Sequence, residues 1–170
     1  MGLIKEVTIR PLESIQGGMT QFYTPQSSHE TMLVEIPAQT IDDLFVHKFQ
    51  TDQLVVVRGS FVLVILQNRQ YQYLVLNEKI PLVVTIPPGV PHSAINLESE
   101  SCFLVNAVLR HGATHPKDYQ PMKPPFPYDL EAVRRASLSP DFAVCDSGGG
   151  ALRSAIALHT RERAIGNRQQ

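Results

Sequence analysis

Two histidines in separate apolar stretches are the residues of this chain best placed to do chemistry: His47 in "VHKFQTDQLVVVRGS" and His92 in "TIPPGVPHSAIN". An imidazole exchanges a proton near neutral pH or offers a lone pair to a metal. His92 follows two prolines and a glycine, which fix and permit unusual backbone angles respectively, so the spacing predicts a rigid corner that aims one side chain. Asp52 and Gln53 lie just downstream of His47, Arg58 precedes a Gly-Ser turn, and His111 ends an apolar run. Borderline metals want three or four converging N, O or S donors. His47 and His92 supply two, and Asp52, Gln53 or His111 must complete a set. The expectation is a site without cofactor, the alternative being a divalent metal on His47, His92 and Asp52.

The elements that must carry these residues read as strands. "TMLVEI", "DLFVHKF", "QLVVVRGS", "FVLVILQ", "YQYLVLN", "LVVTI" and "CFLVNAVL" are rich in β-branched and aromatic residues and are punctuated by Gly, Pro, Asn and Gln. "QNRQ" reads as a hairpin turn and "RGS" as a glycine-marked turn or bulge. Closely spaced strands without intervening helices predict an antiparallel sandwich or barrel. "THPKDYQPMKPPFPYD" carries too many prolines for a central strand and is expected to lie extended across the sheet with its aromatics tucked in. "DLEAVRRA" reads as a short helix with Asp129 as N-cap and Arg134 and Arg135 near its C-terminal end. The domain is expected over residues 1–137, with 138–170 as a mobile or weakly helical tail.

Composition narrows the class. The 170 residues are 43% hydrophobic and 18% charged, with a formal net charge of −1. That suits one globular domain and gives no overall field for nucleic acid or an anionic membrane. Residues 151–170 hold four scattered arginines rather than a polybasic block. The two cysteines, Cys102 and Cys145, lack C-x-x-C spacing, and no secretory leader is recognisable at the start, so a cytoplasmic protein without disulfides is expected. G-x-S-x-G, H-E-x-x-H and phosphate-loop patterns are absent.

Pro87, Gly89, His92 and Asn96 stand in the order P-x-G-x-x-H-x-x-x-N, which resembles the second signature motif of the cupins. Within that superfamily "QLVVVRGS", "IPPGVPHSA" and "CFLVNAV" are similar, in order and spacing, to stretches of the dTDP-4-dehydrorhamnose 3,5-epimerases. The likeness covers roughly residues 44–111 and implies an all-β cupin jelly roll (a double-stranded β-helix) with a short C-terminal helix. It further implies a small-molecule substrate, a sugar nucleotide, and isomerase or epimerase chemistry by proton removal beside a ketone. His47 falls on the family's base and His92 on its second site histidine. Gln53, Arg58 and His111 are the other candidate substrate contacts. Leu44, Gln53 and Val105 stand where the family has an arginine, a lysine and its acid tyrosine. Inversion at a carbon needs a base and an acid on opposite faces, so these departures speak against standard epimerisation. "VHKF" followed by "RGS" also resembles the dTDP-sugar 3,4-ketoisomerases, whose one-face proton shift needs no opposed acid. A non-catalytic ligand-binding cupin and a metal-dependent dioxygenase-type cupin are the alternatives. A homodimer is expected, because open sheet edges invite a second copy.

Overall fold

The computed structural model describes residues 6–24, 26–138, 143–146 and 153–154. Its strands are β1 (Thr8–Pro11), β2 (Ser14–Gly17), β3 (Thr20–Tyr23), β4 (Glu30–Ile36), β5 (Thr40–Ile41), β6 (Leu44–His47), β7 (Gln50–Arg58) and β8 (Ser60–Gln67). They continue with β9 (Gln70–Asn77), β10 (Leu82–Ile86), β11 (His92–Asn96), β12 (Cys102–Arg110), β13 (Tyr119–Met122), β14 (Ala143–Asp146) and β15 (Arg153–Ser154). The single described helix, α1, spans Leu130–Ser137.

Two antiparallel sheets face one another. One has the order β1-β10-β7-β12-β4; the other runs β13-β6-β11-β8-β9-β14-β15, with β5 paired to β11. Inward-facing Leu54, Phe61, Leu63, Ile65, Val84, Ile86 and Leu104 fill the space between them. The second sheet buries its other face too. Val62, Val64, Tyr71, Tyr73 and Ile95 pack against Ala132, Val133 and Ala136 of α1. Strands covered on both sides need apolar residues at nearly every position, which is why "FVLVIL" and "YLVL" show no polar alternation.

Turn chemistry joins the sheets. Asn68 and Arg69 both take positive φ, 50° and 61°, in the β8–β9 hairpin, as a two-residue primed turn requires. Gly59 has φ +82°, and a Cβ there would lie 3.2 Å from the Ser101 carbonyl oxygen and 3.3 Å from Cys102 Cα. The helix starts where expected, with the Asp129 carboxylate accepting from the Ala132 N–H at 2.9 Å. Tyr73 anchors that start by accepting the Asp129 N–H at 2.8 Å, and Tyr71 donates to the Phe126 carbonyl at 2.9 Å. The proline-rich segment lies extended as expected: β13 adds to β6, and Phe126 and Tyr128 pack on the helix layer.

Beyond α1, β14 pairs with β9 and β15 with β14. The weak helix expected over "ALRSAIALHTRERAI" falls outside the described residues except for Arg153 and Ser154, which form β15. No helix among the described residues is long and apolar enough to cross a membrane.

Replacing Gly59 by Ala tests the turn. The left-handed backbone and the Ser101 contact predict a loss of about 1–2 kcal/mol, read as a lower urea midpoint; an unchanged midpoint contradicts the strained geometry.

Candidate functional site

The proline-glycine corner and β6 bring the two histidines together. Gly89 takes φ +81°, and its N–H donates to the His47 carbonyl at 2.6 Å, so the corner is bonded to the strand that carries the first histidine. His92 opens β11 in register with Phe45, one inward position from His47. The imidazole centroids are 6.0 Å apart, and the Phe45 ring stands 5.5 Å from His47 and 4.3 Å from His92. Both rings face a cavity of about 270 Å³ lined by Asp52, Asn106 and Tyr119 as well, with Val34, Ile36, Leu54, Leu63 and Leu104 supplying an apolar remainder.

Asp52 projects from β7 into the same space and is 2% exposed. Its two oxygens are used differently. Oδ1 accepts from Gln50 Nε2 at 2.7 Å and Asn106 Nδ2 at 2.8 Å. Oδ2 faces His92 Nε2 at 3.6 Å and His47 Nε2 at 3.9 Å. The tautomer of His92 follows from its other nitrogen: Nδ1 lies 2.9 Å from the Val90 carbonyl, which can only accept, so Nδ1 carries the proton. Burial pushes the His92 pKa below its ordinary value, outweighing the Val90 bond and Asp52, while His47 adds to the lowering. Neutral His92 therefore turns an unprotonated Nε2 toward Asp52 and the cavity.

His47 is held from behind. Its Nδ1 has no hydrogen-bond partner and stands 3.5 Å from Asp118 Oδ2. Asp118 is itself fixed, with Oδ1 accepting the Lys48 and Phe49 N–H groups at 3.0 and 2.6 Å. Arg110 donates to Asp118 Oδ2 at 3.0 Å and to Gln50 Oε1, and pairs with Glu30 at 2.6 Å. A continuous polar chain thus runs from Asp52 through Gln50, Arg110 and Asp118 to His47. Tyr119 sits opposite His47 in the β13–β6 pairing, its ring 5.7 Å from the imidazole and 53% exposed at the mouth.

The other expected contacts lie elsewhere. Gln53 points away from the cavity and spends its amide on the Ser27 and Ala107 carbonyls at 2.8 and 2.9 Å. Arg58 is largely exposed and pairs loosely with Glu100 at 3.8 Å. His111, a candidate substrate contact, follows the parity of Val105, Ala107 and Leu109, whereas Leu104 and Asn106 line the cavity, so that set faces away from it. His111 is exposed and meets Thr51 Oγ1 at 2.7 Å. The same parity takes Val105 out of the cavity, so a tyrosine at that position would not reach it. Tyr71 and Tyr73 pack in the helix layer and do not line the cavity that holds His47 and His92.

Gln50, Asn106, Arg110, Asp118 and Tyr119 were not singled out from the sequence. The polar positions Gln50, Asp52 and Asn106 within apolar runs were the available signal.

Substituting Asp52 by Ala leaves the Gln50 and Asn106 donors without an acceptor. A loss of about 2–4 kcal/mol follows from stranding buried donors, measured by urea unfolding; a loss below half of that contradicts the buried network.

No family model matches the chain, nor does any curated protein. Solved structures do. The chain is similar to a dTDP sugar isomerase from Desulfovibrio desulfuricans, with 15% identity, TM-score 0.56, and coverage of 75% of this chain and 87% of the other. It is similar to NovW, a 4-keto-6-deoxy sugar epimerase from Streptomyces spheroides, at 15% identity and TM-score 0.57, with 72% of each chain covered. It is also similar to QdtA, a sugar 3,4-ketoisomerase from Thermoanaerobacterium thermosaccharolyticum solved with TDP, at 14% identity and TM-score 0.57, covering 80% of this chain and all of that one. The facing sheets, the corner histidine and these likenesses converge on one architecture: the chain has the RmlC-like jelly-roll cupin fold of the dTDP-sugar epimerases and isomerases.

Proposed function

We propose that this protein isomerises a nucleotide-linked keto-deoxysugar by moving a proton beside the ketone, with His47 as the base. One observation carries the reading: His47 and His92 from one sheet and Asp52 from the other bring their titratable atoms within 4.8 Å of one another at one place in the cavity. An enolate formed there takes its proton back from the side it left. That favours a one-face carbonyl shift of the ketoisomerase kind over inversion.

The steps balance within the substrate. His47 Nε2 accepts the proton from the carbon that bears the hydroxyl next to the ketone, and the bonding pair forms the enolate. The hydroxyl proton passes to the enolate oxygen, and His47 Nε2–H, after exchange with solvent at the cavity mouth, protonates the former carbonyl carbon. Asp118 sits behind His47 Nδ1 and favours the imidazolium that forms midway, while His92 Nε2 accepts from the substrate hydroxyl. The apolar walls exclude water, which strengthens these interactions. The Tyr119 ring at the mouth offers a stacking face for the sugar or its base.

A homodimer is part of this reading. Ile15 and Phe22 on the β2–β3 hairpin are 72% and 60% exposed, and Leu33 on the open edge strand β4 is 71% exposed. A second copy covers such surface best. The buried free thiol of Cys102, its pKa pushed up to about 11 by burial, suits a reducing cytoplasm.

In D2O with TDP-4-keto-6-deoxyglucose, the protein is expected to produce the 3-keto isomer carrying solvent deuterium. His47→Asn is expected to slow incorporation by about 10²–10⁴-fold. Equal rates for the two proteins exclude His47 as the base, and a thermal shift with the sugar nucleotide but no exchange points to a binding module. Light scattering is expected to give a mass twice the 18.9 kDa chain, reverting to 18.9 kDa in Phe22→Lys/Leu33→Lys; a monomeric wild type contradicts the dimer.

A further inference from the structure

We infer that Arg110 is a positioning residue of the proton shift: from behind the cavity it fixes the carboxylates that face the two nitrogens of His47, and so keeps Nε2 free to act as base. The inference rests on the isomerase reading and adds to it a residue that never meets the substrate, since Arg110 does not line the cavity. His47 lies between two carboxylates, with Asp118 Oδ2 3.5 Å from Nδ1 and Asp52 Oδ2 3.9 Å from Nε2. A neutral imidazole has one N–H, and the partners that its nitrogens face decide where that proton sits. With the proton on Nδ1, Nε2 accepts one from a substrate carbon. With the proton on Nε2, it cannot.

One guanidinium nitrogen acts on both sides of the ring. Arg110 Nη1 donates to Asp118 Oδ2 at 3.0 Å and to Gln50 Oε1. The Lys48 and Phe49 N–H groups anchor only Oδ1 of Asp118, about which the carboxylate could turn. The bond from Nη1 stops that turn with Oδ2 beside the imidazole. On the other side, the Gln50 amide has one oxygen to accept and one NH2 to donate. With Oε1 taken by Arg110, Gln50 presents Nε2 to Asp52 Oδ1 at 2.7 Å, which leaves Asp52 Oδ2 toward the imidazoles. A guanidinium suits this task because its donors are held in one rigid plane, whereas an ammonium is a point charge on a flexible stem. Arg110 forgoes a bond of its own to do so. Its Nε and His47 Nδ1 are the two buried side-chain polar atoms without a hydrogen-bond partner among the described residues. Unpaired buried donors are uncommon in folded chains, and both of these belong to one unit around the base.

The test compares Arg110→Met, which keeps the length but loses the charge and donors, with Arg110→Lys and with Arg58→Met as a control at a distant arginine. With TDP-4-keto-6-deoxyglucose, Arg110→Met is expected to lower kcat by about 10–100-fold while KM stays within about twofold. Arg110→Lys is expected to fall between it and the wild type, and Arg58→Met to match the wild type. Nitrogen-15 spectra of histidine-labelled, substrate-free protein above neutral pH give the second readout. The His47 ring, assigned by its loss in His47→Asn, is expected to show a protonated Nδ1 and a bare Nε2 in the wild type and Arg58→Met, and a mixture of tautomers in Arg110→Met. Circular dichroism checks folding; should Arg110→Met not fold, Arg110→Lys carries the same comparison. An unchanged His47 ring, a kcat within about twofold of the wild type, or a loss of kcat/KM that lies in KM overturns the role of Arg110. The ring spectra need no turnover, so they decide that role even if the wild type leaves the sugar unchanged, a result that counts against the isomerase reading alone.

Discussion

A carboxylate buried between two imidazoles is the constraint around which the rest of this molecule is arranged. Asp52 sits on a central strand with almost no contact with solvent, and an ionised group there needs donors and a counter-charge. The fold meets the first need with Gln50 and Asn106, from the same strand and its neighbour β12. The second need falls to Arg110, whose charge acts on Asp52, while His92 at the corner and His47 on β6 approach Oδ2 from the opposite sheet at 3.6 and 3.9 Å. Disturbing any of these affects the others, because Gln50 also receives Arg110, and Arg110 also holds Asp118 behind His47.

The architecture explains how side chains distant in sequence reach this point. The corner at Gly89 is bonded to the carbonyl of His47, so β11 cannot shift without moving β6. Strand β13 then covers β6 and delivers Tyr119 to the mouth and Asp118 to the back of the imidazole. On the far side, Tyr71 and Tyr73 bond the segment leading into α1, which seals the outer face of the same sheet. The cavity is therefore supported by a layer on each side.

Much of this is legible in the sequence. The strands announce themselves by β-branched runs, the helix by its Asp129 cap, and the pairing of His47 with His92 by the cupin-like corner. What is hidden has physical causes. Strand β12 carries apolar residues at both parities, so its pattern alone does not tell that Leu104 and Asn106, and not Val105, face the cavity. Gln50 to Leu54 are all buried, and nothing in that run tells Asp52 from Gln53 as the inward residue. Tyr71 and Tyr73 read as packing residues that could also stack on a ligand, and that they pack on the helix layer is hidden because both sides of β9 are covered. Arg110 and Asp118 lie at a strand end and in a proline-rich stretch, where polar residues ordinarily meet solvent.

The most direct test of the account is a crystal structure of the protein with a TDP-linked 4-keto-6-deoxysugar in the cavity. The carbon beside the ketone is predicted to lie about 3–3.5 Å from His47 Nε2, with the sugar ring against Val34, Leu54 and Leu104. A sugar bound outside this cavity, or one whose reacting carbon faces away from His47, contradicts the account.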